Sequence, residues 1–316
     1  MAQHPRRMKL TFLLNNERIH TLARKALAHM TAEERARAEV PILGATEGEI
    51  RLLARAAREG AEKCAAAFAG LETYCMFIGY PRSGHSLVGS LLDAHSQVVI
   101  AHEMNVLKFI DVAEFTAPEL YWLILENSRL FAMCGRRWGD YSYGVPGMFQ
   151  GSFQALKVIG DKKGAGSTQL LARKPELLDR LQQIVPLPLR VVHIARNPYD
   201  NIATVARKDT GHVGQAVNFY ASLCRANQAI MERLGKEAVL QLRHEDVIRD
   251  PKAALKSLSR FLGVPADEHY LSACAAVVSE SASRSRDKAK WEPQHRDAIE
   301  KMIAEYPFLE GYSFDK

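Results

Sequence analysis

One short segment combines a cation, hydroxyl groups and a glycine within a single turn. It contains Arg82, Ser83, Gly84 and Ser86 and directly follows the apolar run 74–79. An apolar run that ends in Gly and Pro predicts a buried strand entering a tight turn, and helical spacing follows. A strand, a turn of small residues and a helix N-terminus together direct backbone N–H groups at an anion. The segment therefore predicts a phosphate-binding loop, although the Walker A pattern G-x-x-x-x-G-K-[ST] is absent.

A second segment has the same arrangement of a strand followed by a charged turn. The run 190–195 predicts a strand, and Arg196 follows it in the sequence R-N-P-Y-D. Thr204 lies about two helical turns further on, which places its hydroxyl on the same side as Arg196. Asn197 and Asp200 are typical capping residues of such a turn, and the proline between them suits a helix start. Arg196 and Thr204 are therefore a candidate binding pair.

The two motifs, in this order and each behind a strand, resemble those of sulfotransferases that use 3′-phosphoadenosine 5′-phosphosulfate (PAPS). A third stretch, which begins at His244 and ends at Pro251, resembles the Y-E-D-L-x-x-D-P sequence of that family. The P-R-S-G form of the loop is similar to that of tyrosylprotein and bacterial sulfotransferases. The resemblance covers roughly residues 71 to 296. It implies PAPS as the sulfuryl donor and a P-loop-NTPase-like fold.

The resemblance also implies roles for the residues of the loop. Arg82 corresponds to the cation that touches the bridging oxygen of the donor, which stabilises the leaving phosphate. Ser83, Gly84 and Ser86 are implied to bind the cofactor, with Gly84 and Ser86 holding the 5′-phosphate through close backbone approach and a hydroxyl. His85 stands where the family usually has Thr. It either donates to the phosphosulfate or packs under the loop.

Further residues are implied to bind the nucleotide. Arg196 and Thr204 match the residues that bind the 3′-phosphate in this family. Arg284 and Arg286 lie in the basic segment 283–291, where the family often has a partly mobile lid. Arg forks match phosphate oxygens, so both arginines are predicted to bind the cofactor. A solvated charged surface is the alternative interpretation of that segment.

The transfer also needs a base for the proton of the acceptor. Glu103 follows a predicted strand and, counted from Arg82, falls where tyrosylprotein sulfotransferases and their bacterial relatives have a catalytic Glu. His102 is the alternative base, because the cytosolic small-molecule branch uses His. Neighbouring residues of an extended chain point in opposite directions, so one of the two is expected to face the acceptor, and Glu103 is favoured. Two polar residues at a strand end, without a catalytic role, are the remaining alternative.

An alternation of apolar strands and helices is predicted to position these residues. The fold class is therefore α/β, with a parallel sheet flanked by helices and joined by right-handed crossovers. The predicted strands are 74–79, 98–101, 156–159, 191–195 and 239–242. The predicted helices include 86–94, 170–182, 213–234 and 253–262.

Residues 1–70 are predicted to form a helical N-terminal extension of a sulfotransferase domain at 71–316. Capping-box patterns begin at Thr31 and Thr46, and apolar residues repeat at helical spacing from Ile50. The apolar stripe of this helix needs a covering surface, which is either the catalytic domain or a second subunit. A homodimer is therefore left open.

Composition limits the remaining function classes. The chain has 316 residues and a formal net charge of +6, which suits an anionic ligand and equally a solvated basic surface. Five widely spaced cysteines without a C-x-x-C pair argue against a disulfide framework or a structural zinc site, and we expect no metal cofactor. No membrane-spanning stretch or signal-peptide pattern is found in the sequence, so a cytoplasmic location is expected.

The predicted function is in-line transfer of a sulfuryl group from PAPS to a hydroxyl or amine of a small molecule, lipid or glycan. Aromatic residues between Trp138 and Phe153 either wall the acceptor pocket or cover the core. One alternative is a P-loop kinase. The sequence argues against it, because it lacks both the Lys-Ser/Thr step and a clear magnesium-holding carboxylate. Another is a non-catalytic basic module that binds polyanions or partners. No nucleic-acid-binding motif is found, so a nucleic-acid partner is not expected.

Overall fold

The computed structural model describes residues 47–138 and 141–315. Within them the α-helices α1–α12 span Glu47–Phe68, His85–Asp93, Val106–Val112, Ala117–Met133, Ala165–Arg173, Glu176–Ile184, Pro198–Val205, Val213–Leu234, His244–Arg249, Pro251–Leu262, Glu268–Ala275 and Pro293–Glu305. The strands β1–β7 span Thr73–Gly79, Val98–His102, Arg137–Trp138, Tyr141–Ser142, Val158–Lys162, Leu189–Ala195 and Val239–Arg243.

The strands form one main sheet and one small ribbon in the described residues. The sheet has the order β2-β5-β1-β6-β7, and β3 pairs with β4 as an antiparallel ribbon. β2 and β5 are parallel, with Val98 opposite Val158 and His102 opposite Lys162, and β6 and β7 are also parallel. Every residue of β1, β2 and β5 is buried, as expected for strands covered on both faces. The predicted fold class, a parallel sheet flanked by helices, is confirmed.

The chain divides into two compact units, each made of separate stretches. The first contains Gly89–Lys162, Arg180–Pro188 and the described residues up to Tyr74. The second contains Cys75–Val88, Lys163–Asp179 and the residues from Leu189 onward. The predicted domain boundary after residue 70 stays a prediction, and the capping boxes at Thr31 and Thr46 begin outside the described residues.

Helix α1 covers helix α4 in the first unit. A Cβ on Gly60 would lie 2.1 Å from the Trp122 ring, so only the absence of a side chain lets the indole pack on the α1 backbone. Near the end of α1, Phe68 meets Tyr121 edge to face, with ring centroids 5.7 Å apart. Ile50 is fully buried. The apolar stripe predicted from residue 50 is therefore covered by a helix of the same chain.

Two features of the helices differ from the sequence prediction. The spacing of 170–182 predicts one helix, whereas α5 ends at Arg173 and α6 begins at Glu176. Pro175 separates them, because proline lacks an N–H and disfavours the helical conformation of the residue before it. Helices α3, α9, α11 and α12 were not among the predicted helices, nor was α4, the longest of these five. Most of its residues are buried, so it has no clear polar face to reveal its period.

Candidate nucleotide-binding site

Three neighbouring elements of the second unit hold the loop that follows β1. Gly79 has a φ of 135°, and a Cβ there would lie 3.1 Å from the carbonyl oxygen of Ile194 in β6. Its N–H donates to Thr168 Oγ1 of α5 at 3.0 Å. Asn201 of α7 donates from Nδ2 to the Pro81 carbonyl, also at 3.0 Å. The start of the loop is therefore fixed by backbone and by two buried polar side chains.

The loop itself has the backbone form used by anion-binding turns. Arg82 and Gly84 both have left-handed φ values, of 63° and 89°. Such a φ is uncommon for an arginine and costs roughly 1 kcal/mol. Between them, Ser83 is buried and donates its hydroxyl to the Tyr80 carbonyl at 2.9 Å. Helix α2 begins directly afterwards at His85, so the N–H groups of its first turn follow the loop.

The side chain of Arg82 forms a two-point ion pair with Asp209. Its Nε and Nη2 donate to the carboxylate at 3.2 and 2.8 Å. Asp209 belongs to a single π-helical turn, Ala206–Thr210, that continues from α7 and ends at Gly211 with a φ of 78°. The two side chains are 40% and 35% exposed. The carboxylate thus occupies donors that an anionic ligand would also use.

His85 is buried beneath the loop. Its Nδ1 lies 3.3 Å from the Ser83 hydroxyl. Its ring lies against Gly164, where a Cβ would approach it to 3.1 Å. Gly164 has a φ of 61° and precedes helix α5. Of the two roles predicted for His85, these contacts favour packing under the loop over a direct contact with ligand.

The second predicted motif is bonded to the first. Arg196 Nη1 donates to the Arg82 carbonyl at 3.2 Å, and Nη2 donates to the carbonyl and hydroxyl of Ser283 at 2.7 and 2.9 Å. Thr204 is buried, and its hydroxyl donates to the Asp200 carbonyl at 2.8 Å. Two motifs far apart in the sequence therefore meet through the guanidinium of Arg196.

The two arginines of the predicted lid have different environments. Arg286 is buried, and its Nε and Nη2 donate to the Asp200 carboxylate while Nη1 donates to the carbonyls of Ser313 and Phe314. This network fits a structural role for Arg286 better than the predicted binding of phosphate. Arg284 is exposed and pairs with Asp287 at 3.2 Å. Arg284 therefore stays a candidate ligand-binding residue.

His244 is the first residue of the stretch that resembles the family sequence Y-E-D-L-x-x-D-P. In the structure it lies directly against the loop. A Cβ on Gly84 would lie 2.2 Å from its Nδ1, so the imidazole fits only because residue 84 is glycine. His244 was not among the predicted site residues. The departure from the Tyr of the family sequence Y-E-D-L was the available signal.

The first unit contains the predicted base. Glu103 follows β2, has a left-handed φ of 58° and donates its N–H to the Lys162 carbonyl at 2.8 Å. Its carboxylate accepts a hydrogen bond from the Lys162 ammonium at the end of β5, and these side chains are 13% and 0% exposed. Gly89 lies against the Lys162 stem, where a Cβ would approach Cγ to 3.0 Å. The carboxylate of Glu103 therefore has a fixed cationic partner.

His102 has aromatic surroundings instead. Its ring stacks on Phe131 at a centroid distance of 4.1 Å and an interplanar angle of 8°, and Trp138 meets it edge-on at 5.4 Å. Its backbone is bonded to the side-chain amide of Asn127. Trp138 and Tyr141 on the β3–β4 ribbon are 42% and 57% exposed. His102 therefore lies in an aromatic stack beside the exposed ring of Trp138, and Glu103 stays the predicted base.

Asp161, next to Lys162, belongs to the core. Its carboxylate accepts hydrogen bonds from the Tyr74 hydroxyl and the Val106 N–H, both at 3.0 Å. Burial raises its pKa to about 6, against the lowering effect of these bonds.

In residues 47–138 and 141–315 no group of three His, Cys, Asp or Glu residues is arranged to hold a metal ion. Within the same ranges no helix is long and apolar enough to cross a membrane.

The fold is that of an α/β protein with a parallel sheet flanked by helices, and the comparisons with known proteins are more specific. Residues 154–268 match the sequence model described as "Sulfotransferase family". This segment contains Lys162, Arg196, Thr204 and His244 but not the loop at residues 80–86. The match confirms the predicted relationship to sulfotransferases over that part of the chain. No curated protein matches the chain.

Several solved structures of low sequence identity are similar to this chain. The sulfotransferase domain of the Synechococcus PCC 7002 olefin synthase is 14% identical, with a TM-score of 0.49, over 75% of this chain and 94% of that one. A Mycobacterium avium sulfotransferase is 13% identical, with a TM-score of 0.48, over 96% and 98% of the two chains. A mouse sulfotransferase complexed with PAP is 12% identical, with a TM-score of 0.42, over 79% and 88%.

Proposed function

We propose that the protein is a PAPS-dependent sulfotransferase that uses a hydroxyl or amine of a small molecule, lipid or glycan as acceptor. The observation that supports this most directly is the bond from Arg196 to the carbonyl of Arg82. It joins the predicted 3′-phosphate residue to the loop predicted for the 5′-phosphosulfate. The family match at residues 154–268 does not favour the alternatives, a kinase or a non-catalytic binding module.

The residues of the second unit fit a bisphosphorylated nucleotide. The loop offers a left-handed turn and a helix N-terminus, which suit one phosphate. Arg196 is the proposed cation for the 3′-phosphate, and the buried Thr204 hydroxyl is the proposed second contact. Ser86 and Arg284 are proposed as further ligands. A bound donor would supply the sulfuryl group, with an adenosine bisphosphate as the leaving group.

Two residues are proposed to act on the reacting atoms. Arg82 stabilises negative charge that develops on the leaving phosphate, because a guanidinium donates charge-assisted hydrogen bonds to phosphate oxygens. Glu103 takes the proton from the acceptor, and Lys162 holds its carboxylate in one orientation. The exposed rings of Trp138 and Tyr141 are proposed to contact the acceptor.

Titration calorimetry with 3′,5′-bisphosphoadenosine, run beside 5′-AMP, tests the cofactor. We expect clear preference for the bisphosphate, because 5′-AMP lacks the 3′-phosphate that Arg196 is proposed to bind. Arg196→Ala should remove most of the preference, whereas Arg249→Ala, at an exposed ion pair of α9, should leave it unchanged. Equal binding of both nucleotides by the wild-type protein, or tighter binding of ATP, would overturn the proposal.

Turnover tests the proposed role of Arg82. Once an acceptor is found by screening with PAPS, Arg82→Ala should lower kcat by roughly 100- to 1,000-fold, the range seen when a transition-state charge contact is removed. Its affinity for 3′,5′-bisphosphoadenosine should change much less. Equal losses in turnover and affinity would show that Arg82 only binds the nucleotide.

A further inference from the structure

His244 is a half-buried residue whose imidazole has an unsatisfied nitrogen beside the proposed phosphate site. Its Nδ1 is buried and has no hydrogen-bond partner, and it lies against the backbone of Gly84. A neutral imidazole has one donor nitrogen and one acceptor nitrogen, and leaving a buried polar group unpaired costs about 1–3 kcal/mol. Such an atom at the edge of a binding loop indicates that a ligand supplies the missing partner.

The charges around His244 keep it neutral without a ligand. Its pKa is lowered to about 4, first by burial and then by the nearby guanidinium of Arg196, while Asp200 acts in the opposite direction. Asp200 is itself bonded to Arg286, which limits its effect on the imidazole. Positive charge from Arg196 is therefore the main electrostatic reason, after burial, that the ring is not protonated.

The other charged groups around His244 already have partners. From the loop, the Arg82 side chain is paired with Asp209. From its own helix, Glu245 accepts from the Asn197 N–H at 2.9 Å and from the Tyr312 hydroxyl at 2.8 Å. None of these contacts supplies a hydrogen bond to the His244 Nδ1. A phosphate bound to Arg196 would both neutralise that guanidinium and place negative charge near the imidazole.

We infer that His244 binds a phosphate of the nucleotide and takes up a proton when the nucleotide binds. This inference rests on the proposed function. The complex then binds more protons than the free protein and free ligand. By linkage, affinity for 3′,5′-bisphosphoadenosine rises as pH falls from 8 toward 6.5. The second ionisation of a phosphate, with a pKa of about 6, acts in the opposite direction, because a phosphate bound to a guanidinium loses its proton more readily than the free ligand does. It must be separated from the contribution of His244.

Calorimetry of 3′,5′-bisphosphoadenosine in two buffers of different ionisation enthalpy measures the protons taken up. At pH 7 and 8, most of the phosphate of the free ligand is already fully ionised. The wild-type protein should take up a measurable fraction of a proton at pH 7, and its affinity should rise about threefold or more per pH unit, up to the tenfold limit for one proton. His244→Asn should lose most of this uptake. His269→Asn, at an exposed position in α11, should behave as wild type.

The outcomes separate this inference from the proposed function. Preference for the bisphosphate over 5′-AMP with no proton uptake by the wild-type protein at pH 7 would overturn the role of His244 and leave the function intact. Equal uptake by wild type and His244→Asn would do the same. If the wild-type protein binds no bisphosphate, both proposals fail. Because the wild-type measurement alone is decisive, the test does not depend on the folding of the variant.

Discussion

Two ion pairs, one in each unit, involve the residues that are proposed to act on the reacting atoms. Arg82 pairs with Asp209 at the surface, where the side chains are 40% and 35% exposed. Glu103 pairs with Lys162, which is fully buried, and Glu103 itself is 13% exposed. The backbone is similar in one respect, since Arg82 and Glu103 both have a left-handed φ, of 63° and 58°. The burial of their partners is the main difference.

This difference in burial predicts different behaviour. An exposed ion pair contributes about 0–1 kcal/mol, so an incoming phosphate can take Arg82 from Asp209 at little cost. A buried pair is costly to break, because the remaining charge is left without compensation. The proposed leaving-group cation can therefore change partners, whereas the proposed base is held in place. The left-handed backbone at both residues is strain that such sites commonly hold.

The largest expected effect is that of removing the carboxylate of the proposed base. Glu103→Gln should lower kcat for PAPS-dependent transfer by about 100- to 10,000-fold, the usual contribution of a general base. Affinity for 3′,5′-bisphosphoadenosine should be nearly unchanged. The matched variant Glu114→Gln changes a surface pair with Arg180, in which the Glu114 side chain is 92% exposed, and it should retain activity. If Glu103→Gln retains activity as well, His102 becomes the candidate base again.

Removing the buried partner should mainly affect stability. Lys162→Ala should lower the free energy of unfolding by about 3 kcal/mol, because it leaves the Glu103 carboxylate without its cation and removes a packed stem. Lys157→Ala, at the exposed pair with Glu72, should change it by less than about 0.5 kcal/mol. Denaturant unfolding measures both. Equal losses of unfolding free energy in Lys162→Ala and Lys157→Ala would contradict the predicted difference between the buried and the exposed pair.

Lys162→Met separates charge from packing at the same position. Met retains much of the stem volume beside Gly89 but not the ammonium. A stability close to that of the wild-type protein would show that the loss in Lys162→Ala comes from the cavity and not from the ion pair.

The smallest expected effect is at the exposed pair. Asp209→Asn should change the free energy of unfolding by less than about 0.5 kcal/mol. It should tighten binding of 3′,5′-bisphosphoadenosine by at most about fivefold, the equivalent of 1 kcal/mol, since it removes a negative charge that competes for Arg82. Asp179→Asn, at the exposed pair with Arg233, is the control and should leave affinity unchanged. Weaker binding by Asp209→Asn would instead mean that Asp209 orients Arg82 for the ligand.

Local patterns in the sequence were sufficient to predict the sheet and the loop. β1 and β6 are short apolar runs that end in charged turns, and such runs can be recognised without knowledge of their neighbours. The helix after Thr46 followed from its apolar spacing. The break at Pro175 was missed because the apolar spacing continues across it, although the proline was visible.

The partners of the site residues could not be predicted in the same way. Asp209 reaches Arg82, and Arg286 reaches Asp200, across large separations in the sequence that no periodicity describes. Arg286 and Arg284 looked equivalent as basic residues of one segment, yet one is buried in a network and the other is exposed. Charge runs indicate which residues are cationic, but only the packing of distant elements decides which of them has a buried counter-charge.

The π-helical turn Ala206–Thr210 makes the length of this segment matter as much as its composition. A π turn contains one residue more than an α turn, and each residue advances a helix by about 100°. Deletion of a single residue here would restore α-helical winding and rotate the carboxylate of Asp209 away from Arg82, even with every other side chain retained. Among related chains, an insertion or deletion in this turn would therefore separate those that can form the pair with Asp209 from those that cannot.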